Sequence, residues 1–410
     1  MGIVVQKFGG TSVGSVERIQ NVAKRVIAEK DRGKDVVVVV SAMGKTTDQL
    51  VSLAHEISKK PSKREMDMLL TTGEQVTISL LSMALQEQGY ETVSFTGWQA
   101  GIMTEPVHGN ARITKIITDR LEQELKQGKI VIVAGFQGMT ESGEITTLGR
   151  GGSDTTAVAL AAALKAEKCD IYTDVTGVFT TDPRYVKGAR KLEAISYDEM
   201  LELANLGAGV LHPRAVEFAK NYNVLLEVRS SMEMERGTIV EEETYMEQNL
   251  VVRGIAFEDQ VTRVSVCGLP NSIHTLSTIF STLAEHGINV DIIIQSTSKE
   301  ELTSISFSIK TEDLDETLKV LKQHQNQLQF EKIEYEKNLA KVSIVGSGMI
   351  SNPGVAAQMF NELADHGILI KMVSTSEIKV SVVVDEDKMV EAVEVLHEAF
   401  NLSKQEEVVK

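Results

Sequence analysis

Between residue 1 and about residue 230, short runs of β-branched and aliphatic residues alternate with longer stretches in which apolar positions recur every three to four residues. The runs are GIVVQKF (2–8), DVVVVV (35–40), ETVSF (91–95), KIVIVAGF (129–136), CDIYTDV (169–175) and NVLLEVRS (223–230). An unbroken apolar run such as VVVVV predicts a central strand covered on both faces. Amphipathic intervals such as VERIQNVAKRVIAEK (16–30) predict the crossover helices of a parallel sheet. The pattern predicts an open, three-layer αβα domain with a mainly parallel sheet.

The pattern changes at SMEMERGTIVEEETYMEQNL (231–250), which is acidic and lacks apolar periodicity, so a domain boundary is expected within it. Beyond it the chain repeats itself. RVSVCG (263–268) recurs as KVSIVG (341–346), and IFSTLAEHGINVDIIIQSTS (279–298) recurs as MFNELADHGILIKMVSTSEI (359–378), which marks a duplicated unit. Each copy reads as βαββα. Units this small bury a sheet face poorly alone, so the copies are expected to pair, within the chain or across a dimer. Neither copy carries a nucleophile or an acid–base pair, so their expected task is binding, at the loop between first strand and first helix. The expected divisions are 1–245, 250–335 and 338–410. Met246 at the boundary raises the idea of a separately made fragment starting there.

Composition narrows the picture. At 410 residues, 42% apolar and 24% charged, the chain is too long for one core and ordinary for a soluble globular protein. A net charge of −16, from 58 acidic against 42 basic residues, provides no broad positive field for nucleic acid. The two cysteines, Cys169 and Cys267, sit in or beside apolar runs without metal spacing and read as buried thiols in a reducing cytoplasm. No signal-like segment opens the chain, and no apolar run approaches the roughly 20 residues of a membrane span.

Candidate chemistry lies in glycine loops at strand ends. Lys7-Phe8-Gly9-Gly10-Thr11-Ser12 fits neither a Walker A loop nor a dinucleotide fingerprint. It is a strand ending in a cation, then glycines that let backbone approach a ligand. It reads either as a phosphate cradle charged by Lys7 or as a solvated lysine beside a tight turn. LGRGGSDTTAVALAAALKAE (148–167) places Arg150, a glycine pair and Ser153-Asp154 before an Ala-rich helix. Arg150 suits a bidentate grip on carboxylate or phosphate, while the plainer reading is an N-cap at Ser153 or Asp154. SAMGKTT (41–47) and TDVTG (173–177) follow two further strands, and ligands of open α/β sheets gather at that edge. Glu74 in TTGEQ is either a first-turn acid or the partner of a ligand ammonium. His212-Pro213 reads as a helix start.

Taken together, KFGGTS, SAMGKTTD, TTGE, GRGGSDTTA, TDVTGVFTTDPR and GAGVLHPRA, followed by a doubled βαββα tail, resemble the aspartokinases. That family has an amino-acid kinase fold with two C-terminal ferredoxin-like ACT domains. The resemblance implies ATP-dependent phosphorylation of the β-carboxylate of L-aspartate, leading toward lysine (through diaminopimelate), threonine and methionine. It implies that Lys7 contacts the transferring phosphate, with Gly9 and Gly10 giving backbone approach, and that Asp154 holds that lysine. ATP, carried with Mg²⁺, would also meet Phe8, Ser41, Thr173, Asp174, Phe179, Asp182 and Arg184. Aspartate would be held by Arg150 and Glu74, with Thr47, Gly151, Gly152 and Ser153 beside them. No metal ligand is assigned to the protein itself.

For the tail, the resemblance implies lysine or threonine as effector and a dimer or higher oligomer through the ACT copies. The expected effector residues are Asn271, Ser272, His274, Thr275, Asn289, Val290, Asp291 and Gln295 in the first copy. In the second they are Met349, Ile350, Asn352 and Pro353. Two features depart from the family pattern: GLPNSIHTLS lacks Asp-x-Pro-Gly, and Gly209 stands where some relatives carry lysine, which would leave Lys7 alone or Arg184 to compensate. The competing reading is a catalytically inactive amino-acid sensor on the same scaffold.

Overall fold

The computed structural model describes residues 2–207, 209–242, 251–297 and 302–403, so Met246 and much of the expected boundary lie outside the described residues. The chain forms two compact units. Met1–Val178, Lys191–Asn205 and Gly209–Met246 make one, and Phe179–Arg190, Leu206–Ala208 and Glu247–Lys410 make the other.

In the first unit an eight-stranded sheet runs in the order Ala194–Ser196, Thr238–Glu241, Leu226–Ser230, Lys168–Thr173, Ile3–Phe8, Asp35–Val40, Ile130–Ala134, Thr92–Phe95. All six sequence-predicted strands are present. The pairings are parallel except Leu226–Ser230 with Thr238–Glu241. On one face Phe8, Val36, Val38, Val40, Ile130 and Ile132 meet Ile19, Val22 and Val26 of helix Val16–Asp31 and Ile78, Leu81 and Leu85 of helix Thr72–Glu87. Strand alternation turns Val5 and Lys7 to the opposite face. Helix Gly152–Ala163, buried from Gly152 to Ala161, contacts strands Ile3–Phe8, Asp35–Val40 and Lys168–Thr173.

Helices Lys63–Leu70 and Thr72–Glu87 are separated only by Thr71, and the joined stretch is apolar and long enough, by composition and length, to cross a membrane. This differs from the sequence expectation; Ile78, Leu81 and Leu85 are spent on the sheet core just described, while Met68, Val76 and Met83 are exposed. Four short strands that the periodicity did not reveal, Ile113–Ile116, Ile102–Thr104, Gln137–Met139 and Ile145–Thr147, form a second sheet. Three or four residues of mixed polarity are too few to show alternation.

The second unit contains both βαββα copies in one six-stranded sheet, ordered Ile293–Thr297, Leu302–Lys310, Gly254–Pro270, Lys332–Val345, Lys379–Asp385, Met372–Thr375. The two central strands are long because each serves both copies. Gly254–Glu258 pairs with 341–345, and 263–267 pairs with 332–336. Val252 and Ile255 therefore enter the second copy's core, while Ile333 packs on the first copy's core. The segment Phe179–Arg190 joins this unit too. Val186 is buried among Val342, Ile344 and Leu396, Thr180 O accepts from Ile255 N–H (2.7 Å), and Thr180 Oγ1 lies 2.9 Å from His397 Nε2. Cys169 is buried as expected, but Cys267 is only half-buried.

Candidate active site

Phe8 is in register with Val40 on one side and Tyr172 on the other, so the loops after these three parallel strands leave from one edge. Lys7 and Asp154 meet at this edge with Nζ 2.6 Å from Oδ1, and each residue is only 9% exposed. A buried lysine requires a partner. Asp154 provides it from the first turn of helix Gly152–Ala163, where the helix dipole favours negative charge. A Cβ at Gly9 would sit 3.4 Å from Lys7 Nζ. At Gly10 a Cβ would come within 2.9 Å of Ala42 O, and Gly44 N–H donates to Gly10 O (3.0 Å), so this loop packs directly on the Ser41–Thr47 loop.

Glu74, in the first turn of helix Thr72–Glu87, is buried beneath the same loop. Ala42 N–H donates to its Oε1 (3.1 Å), and its Oε2 has no hydrogen-bond partner among the described residues. Burial pushes its carboxyl up to about 7, against the pull of the Ala42 and its own backbone N–H groups. A buried acceptor of this kind suits an incoming cation. Ser153 closes on the end of strand Ile130–Ala134, since a Cβ at Gly135 would lie 2.7 Å from its Oγ. The helix cap is neither Ser153 nor Asp154 but Gly151, in the left-handed region at φ 66°. A Cβ there would also strike the His212 ring at 2.1 Å, so both conformation and space call for glycine. Arg150 stands exposed on this turn with no bonded partner among the described residues. Ser41 N–H donates to Phe8 O (3.1 Å), and Thr47 is half-buried in helix Thr46–Ile57. Thr173 Oγ1 donates to Asp174 Oδ1 (3.2 Å), while Thr173 O accepts from Ser231 N–H.

Lys7, Gly9, Gly10, Ser41, Glu74, Ser153 and Asp154 are thus brought together. Phe179, Asp182 and Arg184 lie on the segment Phe179–Arg190, which belongs to the second unit. There Arg184 pairs with Asp182 at 2.6 Å and holds its carboxyl below the usual range. Among the described residues no group of three or more His, Cys, Asp or Glu side chains is placed to hold a metal ion. His212 begins helix Pro213–Tyr222 with Pro at its first turn, as expected, and Nδ1 accepts from Arg214 N–H. Sequence reasoning missed the Ala42 N–H, because backbone groups leave no residue-type signal.

In the second unit the expected effector residues are mostly exposed, but they do not form one cluster. The central strands are antiparallel, so the loop after Pro270 (Asn271, Ser272, His274, Thr275) and the loop after Val345 (Met349, Ile350, Asn352, Pro353) lie at opposite ends of their seam. Thr275 Oγ1 donates to Pro270 O, and Asn352 Nδ2 donates to Gly348 O. Asn289 and Val290 precede Asp291, which pairs with the buried Lys341 of the second copy (2.5 Å), and Gln295 Nε2 donates to Thr303 Oγ1.

Comparison with known proteins agrees with this architecture. Residues 2–230 match the amino acid kinase family, and residues 262–328 and 342–400 each match the ACT domain. Over 404 residues the chain is 76% identical to aspartokinase 2 of Bacillus subtilis (strain 168), covering 98% of this chain and 99% of that protein. The chain belongs to the aspartokinases. E. coli aspartokinase III, solved with aspartate and ADP in its R-state, is similar at a TM-score of 0.80 and 28% identity, over 97% of this chain and 99% of that one. The same enzyme solved with lysine and aspartate in its T-state gives 0.76 at 28% identity, over 98% and 100%. The activity is that of an aspartate kinase, and nothing in these comparisons supports an inactive sensor.

Proposed function

We propose that the kinase reaction runs at the strand edge where Lys7, Asp154 and Glu74 meet. The observation that carries this reading is the buried Lys7–Asp154 pair beneath two glycines. The acceptor, a carboxylate with an ordinary pKa of about 4, is already ionised at neutral pH and needs no general base. What opposes reaction is the approach of one anion to another, so catalysis consists of positioning and positive charge. Lys7 meets the transferring phosphoryl oxygens, and Asp154 aims it. Gly9, Gly10, Phe8 and Ser41 admit the phosphates, and Thr173 and Asp174 lie toward the nucleotide. Arg150 takes the α-carboxylate of aspartate and Glu74 its ammonium, with Thr47, Gly151, Gly152 and Ser153 shaping the pocket. ATP is the donor, and the Mg²⁺ it carries supplies further neutralisation of phosphate charge.

Lysine or threonine acts as effector through the ACT copies, which also join subunits, and the enzyme works in the cytoplasm. Support comes from the duplicated ACT unit and from the lysine-bound relative. The test is formation of aspartyl hydroxamate when the acyl phosphate is trapped with hydroxylamine. Lys7→Ala should lower kcat by about 100-fold or more with little change in aspartate KM, on the scale of a lost transition-state donor. Arg150→Ala should chiefly raise the aspartate KM. Equal losses of both kinds in both variants would overturn the assignment.

A further inference from the structure

The turn that carries Arg150 has a backbone poorly suited to aiming a side chain, since Gly149 and Gly151 on either side are both left-handed, at φ 77° and 66°. Flanking glycines leave such a turn conformationally permissive, so an arginine on it is aimed best when the backbone is pinned from outside. The start of helix Pro213–Tyr222 does this from two sides. The His212 ring fills the space against Gly151, leaving no room for a Cβ. The Arg214 guanidinium donates to Leu148 O (2.7 Å), directly before the turn, and to Asn110 Oδ1 (3.0 Å) and Ala111 O (2.9 Å).

One planar fork thus ties the root of the turn to a neighbouring segment, which the single ammonium of lysine cannot reproduce. The two anchors are themselves linked, since His212 Nδ1 accepts from Arg214 N–H (3.3 Å). Among the described residues no carboxylate pairs with Arg214, so its charge is spread over carbonyls and an amide at the base of the turn. Burial and Arg112 both press on that charge, with Glu105 and Glu217 opposing them.

We propose that His212 and Arg214 form a clasp on the Gly149–Gly151 turn, and that Arg214 is a positioning residue that sets aspartate affinity by holding Arg150 in place. The inference rests on the reading of Arg150 as the aspartate grip. An arginine that merely packed there would affect stability, or both substrates alike.

The experiment compares full-length Arg150→Ala, Arg214→Met, Arg214→Lys and the double variant Arg150→Ala/Arg214→Met by steady-state kinetics and thermal unfolding. Arg214→Met should raise the aspartate KM about tenfold, the scale of a small misplacement of a binding group, with ATP KM within about twofold. Arg214→Lys should fall between it and the unmodified chain. Because Arg214 acts through Arg150, the double variant should be no worse than Arg150→Ala alone. His212→Asn, whose amide can still cap the helix, should give the same aspartate-selective loss and serves if Arg214→Met does not fold. An unchanged aspartate KM, parallel rises for both substrates, or full additivity in the double variant would overturn the clasp alone. An unchanged aspartate KM in Arg150→Ala would overturn the reading of Arg150 and the clasp with it.

Discussion

Glu74 shows how one residue's environment decides its chemistry. Its carboxyl is buried, with one oxygen unpartnered among the described residues, and its pKa is pushed up to about 7 from the ordinary 4.5. A raised carboxylate pKa makes the ligand-free fold most favoured below about 4.5, an advantage lost as pH rises through 7. Glu74→Gln should therefore raise the unfolding temperature of the ligand-free protein above pH 7, as read by calorimetry. Gripping an ammonium requires the ionised form, so the aspartate KM should climb as pH falls below 7, approaching tenfold per unit. In Glu74→Gln that slope should vanish and the KM should be high throughout; a slope that survives the substitution would place the titrating group elsewhere.

At the scale of elements, the site depends on two strand-end loops in close contact. Gly10 lies against Ala42 O and Gly44, and Ala42 N–H in turn holds Glu74. Gly10→Ala should press the two loops apart, lowering kcat by an order of magnitude or more, roughly the effect of a displacement under 1 Å, with only a small change in unfolding temperature. A normal kcat in a folded variant would show that the loops tolerate separation. Much of this element was legible beforehand. Lys7, the glycines and the Ser41–Thr47 loop all follow apolar runs whose strand character is local. The capping of helix Gly152–Ala163 was not, since Ser153 and Asp154 are ordinary N-cap residues and only the packing of Ser153 on Gly135 and Asp154 on Lys7 draws them inside the first turn.

Across the whole molecule, the two ACT copies share their central strands, and a segment from the kinase half of the sequence completes their packing. His397, buried beside Thr180, has its imidazole pKa lowered by burial and then by Arg190. A depressed folded-state value means that its contribution is present above about 6.5, the ordinary histidine value, and is lost as pH falls through the folded one. The fall in unfolding temperature on acidification should shrink in His397→Gln, as calorimetry across that range would show; an identical fall would exclude His397 as a source. Residue order alone was enough to establish strands, helices, the duplication and the family of motifs, because periodicity and turn chemistry depend on near neighbours in the chain. It could not show that Phe179–Arg190 packs with the ACT copies, that the strands at 254–270 and 332–345 serve both, or that the loops after Pro270 and Val345 lie at opposite ends. Each of these depends on which distant apolar surfaces and strand edges satisfy one another, and no local window contains that information.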